Sequence, residues 1–327
     1  MPNPSVSTVE FECHQSDESI TRVAGLHVQH QNPFTPYDEA PAVDDTNYVA
    51  MPFRTDMAPQ VVGEDFRHRM GTKPLDLAQW LPADAETAPT IEMKRQLLSR
   101  RRNEVVSLFA NQQEQNAQAA NEAAELVGEW AGVAIKSKGI DALVEASLLV
   151  ADDLAVLRPM SSDTGEQLLF VAGVVCAPSR WTLEEKMGQE MMRVHKPVAR
   201  YAEHIGAGVD TALQRLDETK PIWRSNWTIE DHPALFQPVP PKQPLVSEPE
   251  QLWIRMERQT LRRLSKCNGV LFTIRGYQQP LGEYVRQSTQ TAQTLRILIE
   301  RLPDDVSQYK SVLTYRPQVL SWINQFC

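Results

Sequence analysis

Three stretches in the second half of the chain alternate in polarity with a period of two, and that periodicity restricts what the chain can build. In residues 222–229 (IWRSNWTI), Trp223, Ser225 and Trp227 fall on one face of an extended strand and Arg224, Asn226 and Thr228 on the other. In 252–257 (LWIRME), Leu252, Ile254 and Met256 oppose Trp253, Arg255 and Glu257. In 270–277 (VLFTIRGY), Val270, Phe272 and Ile274 oppose Thr273, Arg275 and Tyr277. Strands buried on both faces read as continuous apolar runs, so alternation of this kind points to an antiparallel sheet. With the polar edges aligned, arginines, Glu257, Tyr277 and Asn226 converge on one side. A solvent face carrying surface ion pairs satisfies the same pattern.

The remaining stretches put helices at both ends of this sheet. Residues 168–176 (LLFVAGVVC) are continuously apolar and pair as a hairpin with 148–157 across the polar turn at 161–165. Residues 74–81 read as a short helix closed by Pro82, 91–109 as a helix with one buried face, and 111–135 as a third by its Ala, Glu and Gln content. Gly139 and Asp141 mark a break. A short helix over 209–216, an amphipathic one over 291–302, a start at Asp304 and Asp305 after Pro303, and a last helix over 317–326 complete an α+β order. Residues 1–60 are rich in Pro and Asp and read as a disordered or extended arm, leaving 61–327 as one domain. His14, His27 and His30 lie in that arm, with no regular structure to bring them together.

Residues 176–198 (CAPSRWTLEEKMGQEMMRVHKPV) carry the best ligand candidate. Thr182 and Glu185 have capping-box spacing, and the spacing predicts a helix running to His195 and stopped by Pro197. A lone histidine is more often structural, so the motif alone assigns nothing. A net charge of −9 argues against a nucleic-acid partner, and Arg100, Arg101 and Arg102 read as a solvated helix face. The four cysteines form no CxxC pair. With no apolar h-region at the start and no run near the roughly 20 residues of a membrane helix, the chain reads as cytoplasmic and without a membrane partner. There is no dinucleotide fingerprint, P-loop, GxSxG or HExxH.

Five blocks in order add a resemblance: RMGTKPLDLAQWL (69–81), the 176–198 block, WRSNWTI (223–229), IRMERQTLRRL (254–264) and GVLFTIRGYQQPL (269–281). From about Phe66 onward the chain resembles the catalytic haem subunit of haem-dependent oxidative N-demethylases, also described as dimethylamine monooxygenases. Ala199 and Ser265 stand where that pattern has proline.

The resemblance implies a PAS-like antiparallel sheet enclosing haem b, with additional N- and C-terminal helices. It implies His195 as the iron ligand, with His204 as the fallback. Arg180, Arg224, Arg255, Arg258 and Arg275 form the pool from which the haem propionates are held, with Asn226 beside them. Glu257 and Tyr277 are the candidates for contact with a small cationic amine. The implied reaction is a monooxygenation that uses dioxygen and converts a dimethylamine-like secondary amine to a primary amine and formaldehyde. NADPH and flavin or iron–sulfur centres enter only through separate reductase subunits. A haem-binding PAS-type gas or redox sensor is the rival reading. Lacking a dinucleotide fingerprint, the isolated chain should not oxidise NADPH in step with formaldehyde release. A spectrophotometric NADPH assay with and without an added reductase checks this.

Overall fold

In the computed structural model the described residues are 66, 68–162, 165–241, 246 and 248–327. The arm expected over 1–60 and its three histidines lie outside them. Among the described residues, seven strands form one antiparallel sheet: β1 (Lys73–Pro74), β2 (Val106–Leu108), β3 (Asp153–Ser162), β4 (Gly165–Val174), β5 (Ile222–Glu230), β6 (Trp253–Leu264) and β7 (Gly269–Pro280). Their order is β1-β5-β6-β7-β3-β4-β2. The helices are α1 (Thr87–Arg100), α2 (Arg102–Val105), α3 (Gln113–Ala131), α4 (Ile140–Ser147), α5 (Leu183–Lys186), α6 (Met191–Val194), α7 (Ala207–Gln214), α8 (Leu281–Arg286), α9 (Thr289–Arg301), α10 (Asp304–Tyr309) and α11 (Arg316–Ile323). The chain is α+β, with an antiparallel sheet and helices before, within and after it.

The sheet is covered on both sides, which excludes a solvated polar face. One face packs α1, α3 and α4 over β3 and β4, where Trp80, Leu97, Ala123 and Leu143 meet Leu154, Val156 and Leu271. Farther along the same face α9 and α11 pack Leu295, Ile299, Val319 and Ile323 against Trp227, Ile254, Met256 and Tyr277. The opposite face is covered by the segment that carries α5, α6 and α7, with Leu183, Met191, Tyr201, Val209 and Leu213 against Leu157, Phe170, Leu261 and Val270. Both faces therefore hold apolar contacts, and polar side chains on either face need internal partners.

Register decides which polar residues meet. Arg224 opposes Gln259 and Asn226 opposes Glu257, so these four share a face. On the hairpin, Met256 opposes Tyr277, Arg258 opposes Arg275, and Thr260 opposes Thr273. Each strand keeps its expected alternation, but Arg275 and Tyr277 stand on the face opposite Glu257. The expected convergence of the three polar edges does not occur, because β7 is set against β6 with odd-numbered residues facing even-numbered ones. β6 also runs to Leu264, well past the alternating stretch that suggested it.

Other departures have local causes. Residues 176–198 form two separate turns rather than one helix. Gly188 sits at φ 73°, and a Cβ there would come 2.3 Å from the Phe109 ring. Its N–H donates to Phe170 O at 2.7 Å, and the Phe170 N–H donates to Gln189 O at 3.0 Å, so the break pairs with β4. The Thr182 hydroxyl accepts from the Glu185 N–H as a cap, at 3.4 Å, while the Glu185 carboxylate turns to Lys186 at 3.3 Å. The 91–109 helix gives way to β2, which pairs along β4, and the 74–81 helix reduces to the single turn Leu77–Gln79. Beyond Gly139, the expected break is the start of α4, a two-turn helix packed on α3.

A buried charge cluster ties these layers together. The Lys94 ammonium on α1 donates to the carbonyls of Ser147 and Val150, both at 3.1 Å, and to that of Asp152. The Asp153 carboxylate lies 4.0 Å away and accepts from the N–H groups of Cys176 and Ala177 at 2.9 and 2.8 Å. Asp152 has one weak partner, the Thr273 hydroxyl at 3.3 Å, and its other oxygen has none among the described residues. Burial raises its carboxyl to about 6, against the opposing charges of Arg275, Lys94 and Arg258. A folded-state value above the unfolded one means ionisation costs stability, fully above pH 6 and not at all below about pH 4. The stability of Asp152→Asn relative to the parent should therefore rise by on the order of 3 kcal/mol as pH increases from 4 to above 6. Urea unfolding of both proteins across that range measures the difference.

Candidate functional site

On the face that carries Arg224 and Glu257, the sheet and the segment over it enclose a cavity of about 250 Å³. Its sheet side is apolar toward β3, β4 and β7, where Leu157, Phe170, Phe272 and Ile274 line it, with Leu261 on β6. β5 and the first half of β6 supply the polar wall of Arg224, Asn226, Glu257 and Gln259, joined by Tyr309 and Lys310 at the end of α10 and by His68. Val194, His195, Val198 and Tyr201 close the other side.

His195 is the cap residue at the end of α6. Its Nδ1–H donates to the Met191 carbonyl at 2.9 Å, which leaves Nε2 as a bare lone pair. The Tyr201 ring lies parallel to the imidazole, 4.4 Å away and 10° off plane. Just beyond Tyr201 the chain makes a wide turn at Ala202–Gly206 with π-type bonding, a local irregularity that recurs at functional positions. Burial, helped by the charges of Arg224 and Lys186, lowers the His195 imidazole to about 4 despite the Met191 bond. It is therefore neutral at ordinary pH. A neutral ring fixed through Nδ1 by a backbone carbonyl is the arrangement that metal-binding histidines use. His204 does not line the cavity; its Nδ1 accepts from the His68 backbone N–H at 3.1 Å.

The arginine pool divides sharply. Arg258 donates to the carbonyls of Trp80 and Gln79, both at 2.7 Å, and Arg275 to Asp84 at 2.8 Å and Thr90 at 3.2 Å. Both lie on the far face of the sheet. Arg255 shares the cavity's face but is fully buried and donates to the carbonyls of Leu235 and Ala177, at 3.0 and 2.6 Å. Arg180 lines the cavity with its charge already met by Asp231, by Glu230 at 3.6 Å and by the Ser311 hydroxyl at 2.8 Å. Arg224 lines the cavity with no hydrogen bond or ion pair among the described residues, and its Nε is buried without a partner. It is the uncommitted cation of the group.

Of the two acid–aromatic candidates, Glu257 lines the cavity, where its carboxylate accepts from Gln259 at 2.9 Å. Tyr277 is buried in the helical core on the other face, its ring 5.0 Å from the Arg275 guanidinium. Lys310, Tyr309 and His68 complete the polar wall and had no signal in the sequence. Lys310 is the cap residue that follows α10, whose only marked feature was its acidic start. Its ammonium donates to Trp227 O at 2.7 Å and to Asn226 Oδ1 at 3.2 Å, and burial, with Arg224 adding to it and Glu257 opposing, lowers it to about 7.

No helix among the described residues is long and apolar enough to cross a membrane. A family model described as haem-dependent oxidative N-demethylase, alpha subunit-like, matches residues 131–320. That span includes α4 to α10, the first part of α11 and most of the cavity wall, with His195, Arg224, Asn226, Glu257 and Lys310 inside it.

A buried cation without a partner costs stability, whereas removing one member of a satisfied pair strands the other. Arg224→Met should therefore stabilise the ligand-free chain by about 1–2 kcal/mol. Arg180→Met should destabilise it, because Asp231 and Glu230 lose their counter-charge. Thermal and urea unfolding of the two variants against the parent tests the contrast.

Proposed function

The chain belongs to the haem-dependent oxidative N-demethylase alpha-subunit-like family, and from that membership and the cavity beside His195 we propose that it is a haem-binding monooxygenase subunit acting on a small secondary amine. The observation that carries the reading is the His195 imidazole: neutral, fixed through Nδ1, and lining the cavity with Nε2 free. One imidazole is a partial coordination set, so a metal held by it brings its other ligands, as iron in a porphyrin does.

The remaining walls fit haem b. Leu157, Phe170, Leu261 and Phe272 offer apolar surface to a flat macrocycle. Arg224 and Lys310 are the cations that would hold its two carboxylates, Arg224 because its charge is otherwise unmet. Asn226, whose oxygen is taken by Lys310, keeps its amide N–H groups for the same carboxylates. Tyr201 and the Met191 carbonyl hold the His195 ring in one orientation, so the ligand atom is set before anything binds. On this reading the sheet is the PAS-like wall of a haem pocket.

When bound, haem supplies the dioxygen activation that hydroxylates a methyl carbon next to nitrogen, after which the product releases formaldehyde. The chain's own part is to orient the amine and exclude water. A secondary amine is cationic at neutral pH, and the Glu257 carboxylate, steadied by Gln259, is the acidic acceptor on the polar wall. Tyr277 lies behind the sheet and takes no part in this contact. Electrons come from separate reductase subunits that use NADPH through flavin or iron–sulfur centres, in the cytoplasm.

Haem reconstitution followed by absorption spectroscopy tests the reading. One equivalent of haem should give a Soret band that His195→Ala abolishes or strongly shifts, and dimethylamine with an added reductase should yield formaldehyde. Arg224→Met should lower haem retention. Glu257→Gln should keep it but raise the amine concentration for half-maximal activity about tenfold. Absence of a Soret band, or an unchanged one in His195→Ala, refutes the assignment, and haem binding without formaldehyde favours the sensor.

A further inference from the structure

Resting on that reading of the cavity, we propose that His68 is the second acceptor of the amine site and makes it selective for secondary amines: one N–H of the ammonium goes to Glu257 and the other to His68 Nδ1. His68 lines the same cavity but lies outside the family-matched span.

The geometry sets its chemistry. His68 Nε2 lies 2.7 Å from the Ala199 carbonyl oxygen. A carbonyl has no proton to give, so Nε2 carries the hydrogen and donates. In a neutral ring Nδ1 is then a bare acceptor. Burial favours the neutral form, with the charges of Lys310, His204 and Arg224 acting in the same direction against the Ala199 bond. The ring is also held in place. Its backbone N–H donates to His204 Nδ1 at 3.1 Å, and Phe66 meets the ring edge-on at 4.9 Å. Nδ1 makes no hydrogen bond to any described residue, so a preorganised acceptor is left without a donor.

Its surroundings say which donor fits. His68 and Glu257 both line the cavity, as do Arg224 and Lys310. With Arg224 and Lys310 turned to carboxylates, and Asn226 Oδ1 already accepting from Lys310, Glu257 offers a carboxylate and His68 Nδ1 an imidazole lone pair to a cation, beside the neutral oxygens of Gln259, Tyr201 and Tyr309. A dialkylammonium ion carries two N–H donors, a trialkylammonium one and a tetraalkylammonium none. A two-acceptor site therefore counts N–H groups, and a buried acceptor left unpaired penalises the analogue that lacks its donor.

The test is a titration of the haem-loaded chain with dimethylammonium and with trimethylammonium, followed by the change in the Soret band and by calorimetry. The parent should bind dimethylammonium more tightly. His68→Phe should weaken dimethylammonium binding about tenfold, leave trimethylammonium nearly unchanged, and keep haem content and Soret position. His68→Asn, which restores an acceptor oxygen on a short side chain, should recover part of the preference. Equal loss for both amines, or no loss for either, overturns the proposal, and a shifted Soret band in His68→Phe assigns the residue to the iron instead. If the chain binds no haem, the proposed function fails, yet calorimetry of the two amines against the parent and His68→Phe still decides the role of His68.

Discussion

The cavity depends on the register in which β6 pairs with its two neighbours. Because side chains alternate strictly, a slip of one residue would exchange the two faces of the strand. In the observed register β5 and β6 bring Arg224, Asn226, Glu257 and Gln259 to one face, while the β6–β7 hairpin sends Arg258, Thr260, Thr273 and Arg275 to the other. The second set is locked into backbone carbonyls, Asp84, Asp152 and Trp80, whose indole N–H donates to the Thr260 hydroxyl at 3.0 Å. Those bonds would be lost on slipping. The structural polar groups on one face thus hold the functional groups on the other in place.

Charges in this protein sort by whether they already have a partner. Lys94, Arg255, Arg258 and Arg275 are almost completely buried and each donates to at least two oxygens, so their role is to hold layers together. Arg180 reaches the cavity wall but answers to Asp231 and Glu230. Arg224, His195 Nε2 and His68 Nδ1 have no hydrogen-bond partner among the described residues. All three belong to residues that line one cavity, and each suits a different part of the proposed reaction complex: a carboxylate, an iron atom and an N–H donor.

What the sequence could show follows from the range of each interaction. Alternation within β5, β6 and β7 was legible because it is local. Which edge of β7 faces which edge of β6 was not, since alternation carries no cross-strand phase, and that is why Arg275 and Tyr277 were grouped with Glu257. The position of His195 before Pro197 was legible. The break at Gly188 was hidden, because it answers to Phe109 and Phe170, both distant in the chain. Lys310 and His68 reach the cavity from opposite ends of the domain, and His68 stands just before the 69–81 block rather than within it.

The central claim is that His195 and Arg224 are left unsatisfied by the chain because haem satisfies both. A crystal structure of the haem-loaded protein tests this most directly. The account predicts iron bonded to His195 Nε2, the Met191 bond to Nδ1 intact, and a propionate against the Arg224 guanidinium. Iron on any other residue, or a haem that leaves Arg224 without a carboxylate, would contradict it.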